Sequence, residues 1–131
     1  MTIKIRRAVI VEDNVSTREL IHLALTAFDA QEIVEAKDGA EALAALQGKG
    51  ADIVIMDWMM EVMDGLECTR RIRAGDDGID PRTPIMLLTG KTGAEAEKSA
   101  YQAGVNHFME KPFSLKKLLA GVTKILGNAN S

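Results

Sequence analysis

The chain reads as an α/β protein, a doubly wound parallel sheet of five strands with helices on both faces. Three observations predict this. Strand-like and helix-like patterns alternate five times along the sequence, and right-handed crossovers between parallel strands leave few other ways to pack such an alternation. Residues 8–11, 53–56 and 85–88 are unbroken apolar runs, as expected of strands covered on both faces. The 131 residues are 47% hydrophobic with only 3 prolines, enough to bury one core over about residues 5–127 with no sign of a second domain.

Taken in order, the first strand spans residues 5–11. Asn14 and Val15 connect it to a helix in which Ser16 and Glu19 have capping-box spacing, and Leu20, Leu23, Ala24, Ala27 and Phe28 recur at helical intervals. Residues 32–36 form the second strand, and Asp38-Gly39 turns into a helix carrying Ala42, Leu43 and Leu46 that ends near Gly48 or Gly50. The third strand is 53–56. Asp64-Gly65 opens a helix with Leu66, Thr69, Ile72 and Arg73, closed by the polar loop Gly75-Asp76-Asp77-Gly78. After Pro84 comes the fourth strand, 85–88, ending at Thr89, then a small-residue helix over 94–103 stopped by Gly104. The fifth strand is 105–109. The last helix is the clearest amphipathic pattern, with Leu115, Leu118, Leu119, Val122, Ile125 and Leu126 between Ser114 and Gly127. A polar tail, 128–131, closes the chain.

Composition excludes several functions. The formal net charge is -3 and no run of Lys or Arg exceeds two residues, so there is no electrostatic footprint for a nucleic-acid backbone. The single cysteine, Cys68, cannot close an internal disulfide, and residues 1–7 lack the apolar segment of a secretory leader. No apolar run approaches the roughly 18 residues of a membrane helix, and the expected location is the cytoplasm. His22 and His107 fall in different elements and offer no zinc pair. Gly90-Lys91-Thr92 resembles the end of a Walker A loop, but that motif needs glycine where Ile85 stands. A dinucleotide site needs a glycine-rich first turn, whereas this one is acidic and would repel a pyrophosphate.

The residues that end the strands carry the chemistry. Glu12 and Asp13 follow the first strand, Asp57 the third, Thr89 the fourth and Lys111 the fifth. In an open parallel sheet all five face the rim where ligands bind. Three carboxylates a few ångströms apart repel one another unless a divalent cation neutralises them. Mg²⁺ suits the set because it takes oxygen ligands through one or two carboxylates and phosphate oxygens, with Mn²⁺ as a substitute of similar ligand preference. Lys111 and Thr89 suit the oxygens of a phosphoryl group. Asp57 is then the candidate nucleophile, since Glu12 and Asp13 are better placed as metal ligands.

Four segments, VIVEDN at 9–14, DWMMEVMDG at 57–65, LLTG at 87–90 and EKPF at 110–113, resemble in order and spacing the receiver domains of two-component response regulators, of the stand-alone CheY-like chemotaxis type. The resemblance covers essentially the whole chain and implies a flavodoxin-like (βα)5 fold with strand order 2-1-3-4-5. It further implies that Asp57 is phosphorylated from a phosphohistidine on a sensor histidine kinase or histidine phosphotransfer protein. Mg²⁺ would be held by Asp13, Asp57 and the Met59 backbone carbonyl, with Glu12 acting through water. Thr89 and Lys111 would bind the phosphoryl oxygens, Lys111-Pro112 would be a cis peptide, and Phe108 would be the switch aromatic that moves inward as Thr89 is drawn to the phosphate. The sequence departs from the family pattern at Glu61, where proline is usual, and at Gly90, where alanine is frequent. Met59 and Lys91, two residues past Asp57 and Thr89, occupy positions expected to set the phosphoryl lifetime.

The resemblance therefore implies a phosphoacceptor switch that clears itself and is not a turnover enzyme. Its face around the fourth helix, fifth strand and fifth helix would dock a downstream protein target. The expectation is a single receiver domain over residues 1–131 with no output domain, monomeric or weakly dimeric, touching neither nucleic acid nor membrane. Asp57-Trp58 also occurs in chemotaxis regulators, which points toward motility. The alternatives are a phosphorelay intermediate that passes the group to another histidine protein, and a pseudo-receiver that binds without phosphorylation. A Mg²⁺-dependent phosphatase would want a second acid near Asp57, where Met59 stands.

Overall fold

The computed structural model describes residues 4–91 and 93–129; Thr92, the first three residues and the last two of the expected polar tail lie outside the described residues. Strands β1 (Arg7–Val11), β2 (Glu32–Ala36), β3 (Ile53–Asp57), β4 (Ile85–Thr89) and β5 (His107–Glu110) alternate with helices α1 (Val15–Thr26), α2 (Gly39–Leu46), α3 (Gly65–Ala74), α4 (Ala94–Ala103) and α5 (Leu115–Ala129). Every pairing is parallel and the order is β2-β1-β3-β4-β5. The winding reverses between β1 and β3, which opens a crevice above their carboxyl ends. The register sets Val11 beside Met56 and Asp57 beside Leu88, so the residues that follow β1, β3 and β4 reach one level.

Alternation along the strands divides the core. Val9, Val11, Val54, Met56 and Leu87 pack with Leu43 and Leu46 of α2 and Leu66 and Ile72 of α3. Their neighbours Ala8, Ile10, Ile53, Ile55, Met86 and Leu88 face the other way, onto Ile21 and Leu25 of α1 and Leu118 and Val122 of α5. Both sheet faces are covered, which is why these strands carry apolar residues without interruption. Among the described residues no helix is long and apolar enough to cross a membrane.

Several expected details differ. The α1 cap is Asn14, whose Oδ1 accepts the Thr17 N–H at 2.9 Å, so Ser16 lies inside the first turn and the Ser16–Glu19 box is not used; Asn is as good a cap as Ser and comes first. The buried stripe of α1 is Ile21, Ala24 and Leu25, with Leu20 and Phe28 at its edge, while Leu23 is 56% exposed. β1 begins at Arg7, although Ile5 is still a core residue. β3 extends to include Asp57, and β5 starts at His107, two residues later than expected. α5 runs through Gly127 to Ala129. Gly127 lacks the left-handed φ by which Gly75 (74°) and Gly104 (111°) end α3 and α4, and a glycine in right-handed backbone weakens a helix without stopping it.

At the amino-terminal end of the sheet, Arg73 of α3 ties three elements together. Its Nε donates to the Gly104 carbonyl at 2.9 Å, Nη1 to the carbonyls of Pro81 and Thr83 at 2.8 and 2.6 Å, and Nη2 to Asn106 Oδ1 at 2.7 Å. Asn106 Oδ1 also accepts the Ile85 N–H at 2.8 Å.

Cys68 faces the other helix of its layer, its Sγ 3.8 Å from the Gly39 carbonyl. Burial pushes the thiol up to about 12, and only the thiolate is nucleophilic. The native protein should therefore resist iodoacetamide at pH 8 and take one label once unfolded in denaturant. Comparable labelling rates in the two states would contradict this packing.

Candidate functional site

The site begins where β1 ends. Glu12 is 1% exposed, a placement an ionised carboxylate tolerates only with partners. Its Oε2 accepts the Asn14 N–H at 3.1 Å, and its Oε1 meets Lys111 Nζ at 2.9 Å. The same ammonium lies 3.4 Å from Asp57 Oδ1, so one lysine spans two enclosed acids. The backbone N–H of Lys111 donates to the Thr89 carbonyl at 2.7 Å, and the Lys111-Pro112 bond is cis. Asp13 is exposed at the mouth of the crevice. Oxygens of Glu12, Asp13 and Asp57 all lie within 4.8 Å of one another.

Burial pushes the Asp57 carboxyl above the usual range, and the nearby Glu12 charge adds to this, against Lys111 and the Met59 N–H, which pull it down. Burial alone would lower the Lys111 ammonium. The hydrogen bond to Glu12 and the charges of Asp57 and Glu12 outweigh it, and the net direction is upward. Negative charge exceeds positive in this cluster even with the lysine in place. An all-oxygen set with that imbalance fits Mg²⁺, with Asp13, Asp57 and Glu12 as the acids that would surround it.

Thr89 is fully buried. Its Oγ1 accepts the Lys91 N–H at 2.8 Å, and among the described residues its hydroxyl proton has no acceptor. Trp58 follows Asp57 and is also buried, its N–H bonded to the Leu88 carbonyl at 2.8 Å. The Lys91 ammonium lies over the indole, 4.5 Å from the ring centroid. Met59 is exposed, and Val62 is 82% exposed at a φ of 71°, a conformation that strains a β-branched residue. Gly65 starts α3 hard against the site. A Cβ there would stand 2.6 Å from Leu87 Cδ1 and 2.7 Å from the Asp57 carbonyl, so any side chain would push α3 away from β3. Phe108, half-buried on β5, donates its N–H to the Tyr101 hydroxyl at 3.2 Å.

Glu12, Asp13, Asp57, Thr89 and Lys111 are thus brought to one rim, with Met59 and Lys91 at its edge and Phe108 one strand away. His22 lies on α1, 3.9 Å from Glu35, and His107 on β5 against Gly121 of α5; the structure does not bring them together. Sequence reading missed Asn14 as the group that fixes Glu12, and took Trp58 only as a pointer toward motility, without its contact to Lys91. The Asn14 contact had a signal, since a cap residue two positions after a strand-end acid holds its backbone N–H nearby. The Trp58–Lys91 contact joins residues 33 positions apart and has no local signature.

Comparison with known proteins agrees with this geometry. The response regulator receiver domain family matches residues 8–123. The response regulator MprA of Mycobacterium sp. (strain KMS) is 32% identical over 120 residues, covering 92% of this chain and 50% of the relative; the chain spans about half the length of the curated relatives it matches. The chemotaxis response regulator CheY4 of Vibrio cholerae is similar in structure, with a TM-score of 0.82 at 30% identity over 93% of this chain and 99% of the other. The receiver domain of the sensor histidine kinase PA1611 from Pseudomonas aeruginosa PAO1, which holds a magnesium ion in its active site cleft, gives a TM-score of 0.79 at 29% identity over 93% of this chain and 98% of the other.

Proposed function

This chain belongs to the response regulator receiver domain family, and from that premise we propose that it is a signalling switch whose Asp57 takes a phosphoryl group from a phosphohistidine. The donor is a sensor histidine kinase or a histidine phosphotransfer protein. The observation that carries the reading is the single ammonium of Lys111 spanning Glu12 and Asp57, because it leaves a cation already in place where phosphoryl charge would develop. An Asp57 carboxylate oxygen attacks phosphorus, the P–N bond breaks, and its electron pair returns to the imidazole, which takes up a proton. Lys111 shifts from the carboxylates toward a phosphoryl oxygen. Thr89 donates its hydroxyl proton to another. The residues that would hold Mg²⁺ are Asp13, Asp57, the Met59 carbonyl and, through water, Glu12, and the ion would supply charge neutralisation for the phosphoryl transfer; Mn²⁺ would substitute.

As Thr89 moves, Phe108 follows inward, and the face of α4, β5 and α5 changes its affinity for a protein target. Met59 and Lys91 flank the path of an attacking water and set the lifetime of the acyl phosphate; exchanging them for Asn and Glu should change the dephosphorylation rate several-fold. An unchanged rate would remove them from that role. The protein clears its own phosphoryl group, does not turn over a phosphomonoester, works in the cytoplasm as a monomer or weak dimer, and contacts neither nucleic acid nor membrane. A second reading, a relay that hands the group to another histidine protein, is favoured by the similarity to a receiver carried by a sensor kinase.

Intact mass after incubation with acetyl phosphate tests the proposal. One phosphoryl should be gained with Mg²⁺ and none with EDTA. If neither this adduct nor a beryllofluoride complex forms, the protein binds its partners without phosphorylation and the switch is wrong.

A further inference from the structure

Lys91 is held twice, and both holds end on neighbours of Asp57. Its N–H is bonded to Thr89 Oγ1 at 2.8 Å, and its ammonium stacks on Trp58 at 4.5 Å. Trp58 directly follows Asp57, and Thr89 lies one residue past Leu88, the β4 partner of Asp57. Among the described residues Lys91 makes no ion pair, so the indole face is the partner of its charge. The glycines nearby add no side-chain hold: Gly90, just before Lys91, has open space around it, and Gly93, two residues after, sits at a φ of 100°. A buried, anchored indole and a cation preceded by glycine thus form a side-chain tether between the ends of β3 and β4.

We propose that Trp58 is a positioning residue that latches Lys91 in the resting protein, and that phosphorylation of Asp57 must release this latch before the segment after β4 can move. The inference rests on the receiver reading above. The argument is one of geometry and linkage. A phosphoryl group on Asp57 would recruit the Thr89 hydroxyl, the acceptor of the Lys91 N–H. Displacing Thr89 toward Asp57 pulls on the Lys91 backbone while the stack on Trp58 holds its side chain. A contact made only in the resting state lowers the affinity of the active state's ligand by its own worth. A cation–π contact at an exposed site corresponds to about two- to fivefold in that affinity.

The probe is beryllofluoride with Mg²⁺, titrated into the full chain. Lys91→Met alone both frees the latch and removes a charge near an anionic ligand, so the informative quantity is its effect with and without the ring. In the Trp58 background the substitution should tighten beryllofluoride binding about two- to fivefold more than it does in a Trp58→Leu background, and Lys91→Arg should stay close to the parent. Equal effects in both backgrounds, or looser binding specific to the Trp58 background, would overturn the latch. If Trp58→Leu does not fold, the parent protein answers alone. The ε-methylene protons of Lys91 should be shifted upfield by the indole ring current when free and should lose that shift on binding beryllofluoride. A shift that persists in the complex overturns the latch and leaves the receiver reading intact, whereas failure of the parent to bind beryllofluoride overturns both.

Discussion

Asp57→Asn should be chemically silent and, without Mg²⁺, more heat-stable than the parent protein. The first half follows from the nucleophile: an amide gives no acyl phosphate, so the adduct formed with acetyl phosphate and Mg²⁺ should disappear entirely. The second follows from the electrostatics of the crevice. Burial and the Glu12 charge raise the folded-state pKa of Asp57 above its unfolded value. The folded protein therefore favours the protonated form, and the stability this contributes is present at low pH and lost as pH rises through the folded value. At pH 8 the parent carries the cost of an ionised, enclosed acid, while asparagine resembles the protonated one. Relief of about 1 kcal/mol would raise Tm by roughly 4 °C in a chain of this size. Added Mg²⁺ should raise Tm in the parent and much less in the variant, because one of its carboxylates is gone. Calorimetry at pH 8 with EDTA and with Mg²⁺ decides; a variant less stable than the parent in EDTA would mean that the Lys111–Asp57 attraction outweighs the repulsion.

The second large effect lies far from the crevice. Arg73→Ala should cost about 3 kcal/mol, or roughly 12 °C in Tm, because it removes a guanidinium bonded to three carbonyls and the Asn106 side chain at 2.6–2.9 Å. One of those carbonyls, Gly104, ends α4, where the helix dipole favours a cation. Burial lowers the pKa of this guanidinium, with the Asp80 charge opposing, yet arginine remains charged throughout the accessible pH range. Lysine should recover only part of the loss, since a point charge cannot bridge acceptors spread over α4, β5 and the loop before β4. Urea unfolding of the three proteins measures this, and a loss below 1 kcal/mol for alanine would show the clip to be redundant.

Both sites illustrate what can be read from the chain. Elements punctuated by glycine or by an aspartate-glycine pair were legible nearly to the residue: β2, α2 after Asp38, α3 between Asp64 and Gly75, and α4 before Gly104. These are positions where backbone chemistry acts locally. α1 was misread because Asn14 and Ser16 can both cap, and because a helix with apolar residues at 20, 21, 23, 24 and 25 has no unique inward stripe until the sheet selects one. Gly127 shows the limit of a composition rule, since glycine stops a helix only where the backbone turns left-handed. The acids and Lys111 were visible because strand ends are visible. The grip of Arg73 on Gly104 and the stack of Lys91 on Trp58 were not, because each is set by tertiary approach with no spacing to betray it.

The pair that completes the site, Glu12 and Lys111, is separated by 99 residues. A chain emerging from a ribosome carries its acids early and the lysine that balances them late. Until that last portion is made and docked, Glu12 and Asp57 lack the ammonium that spans them in the folded protein. On the receiver reading proposed above, a copy shortened before Lys111 should therefore gain no phosphoryl group from acetyl phosphate and Mg²⁺, which intact mass would show.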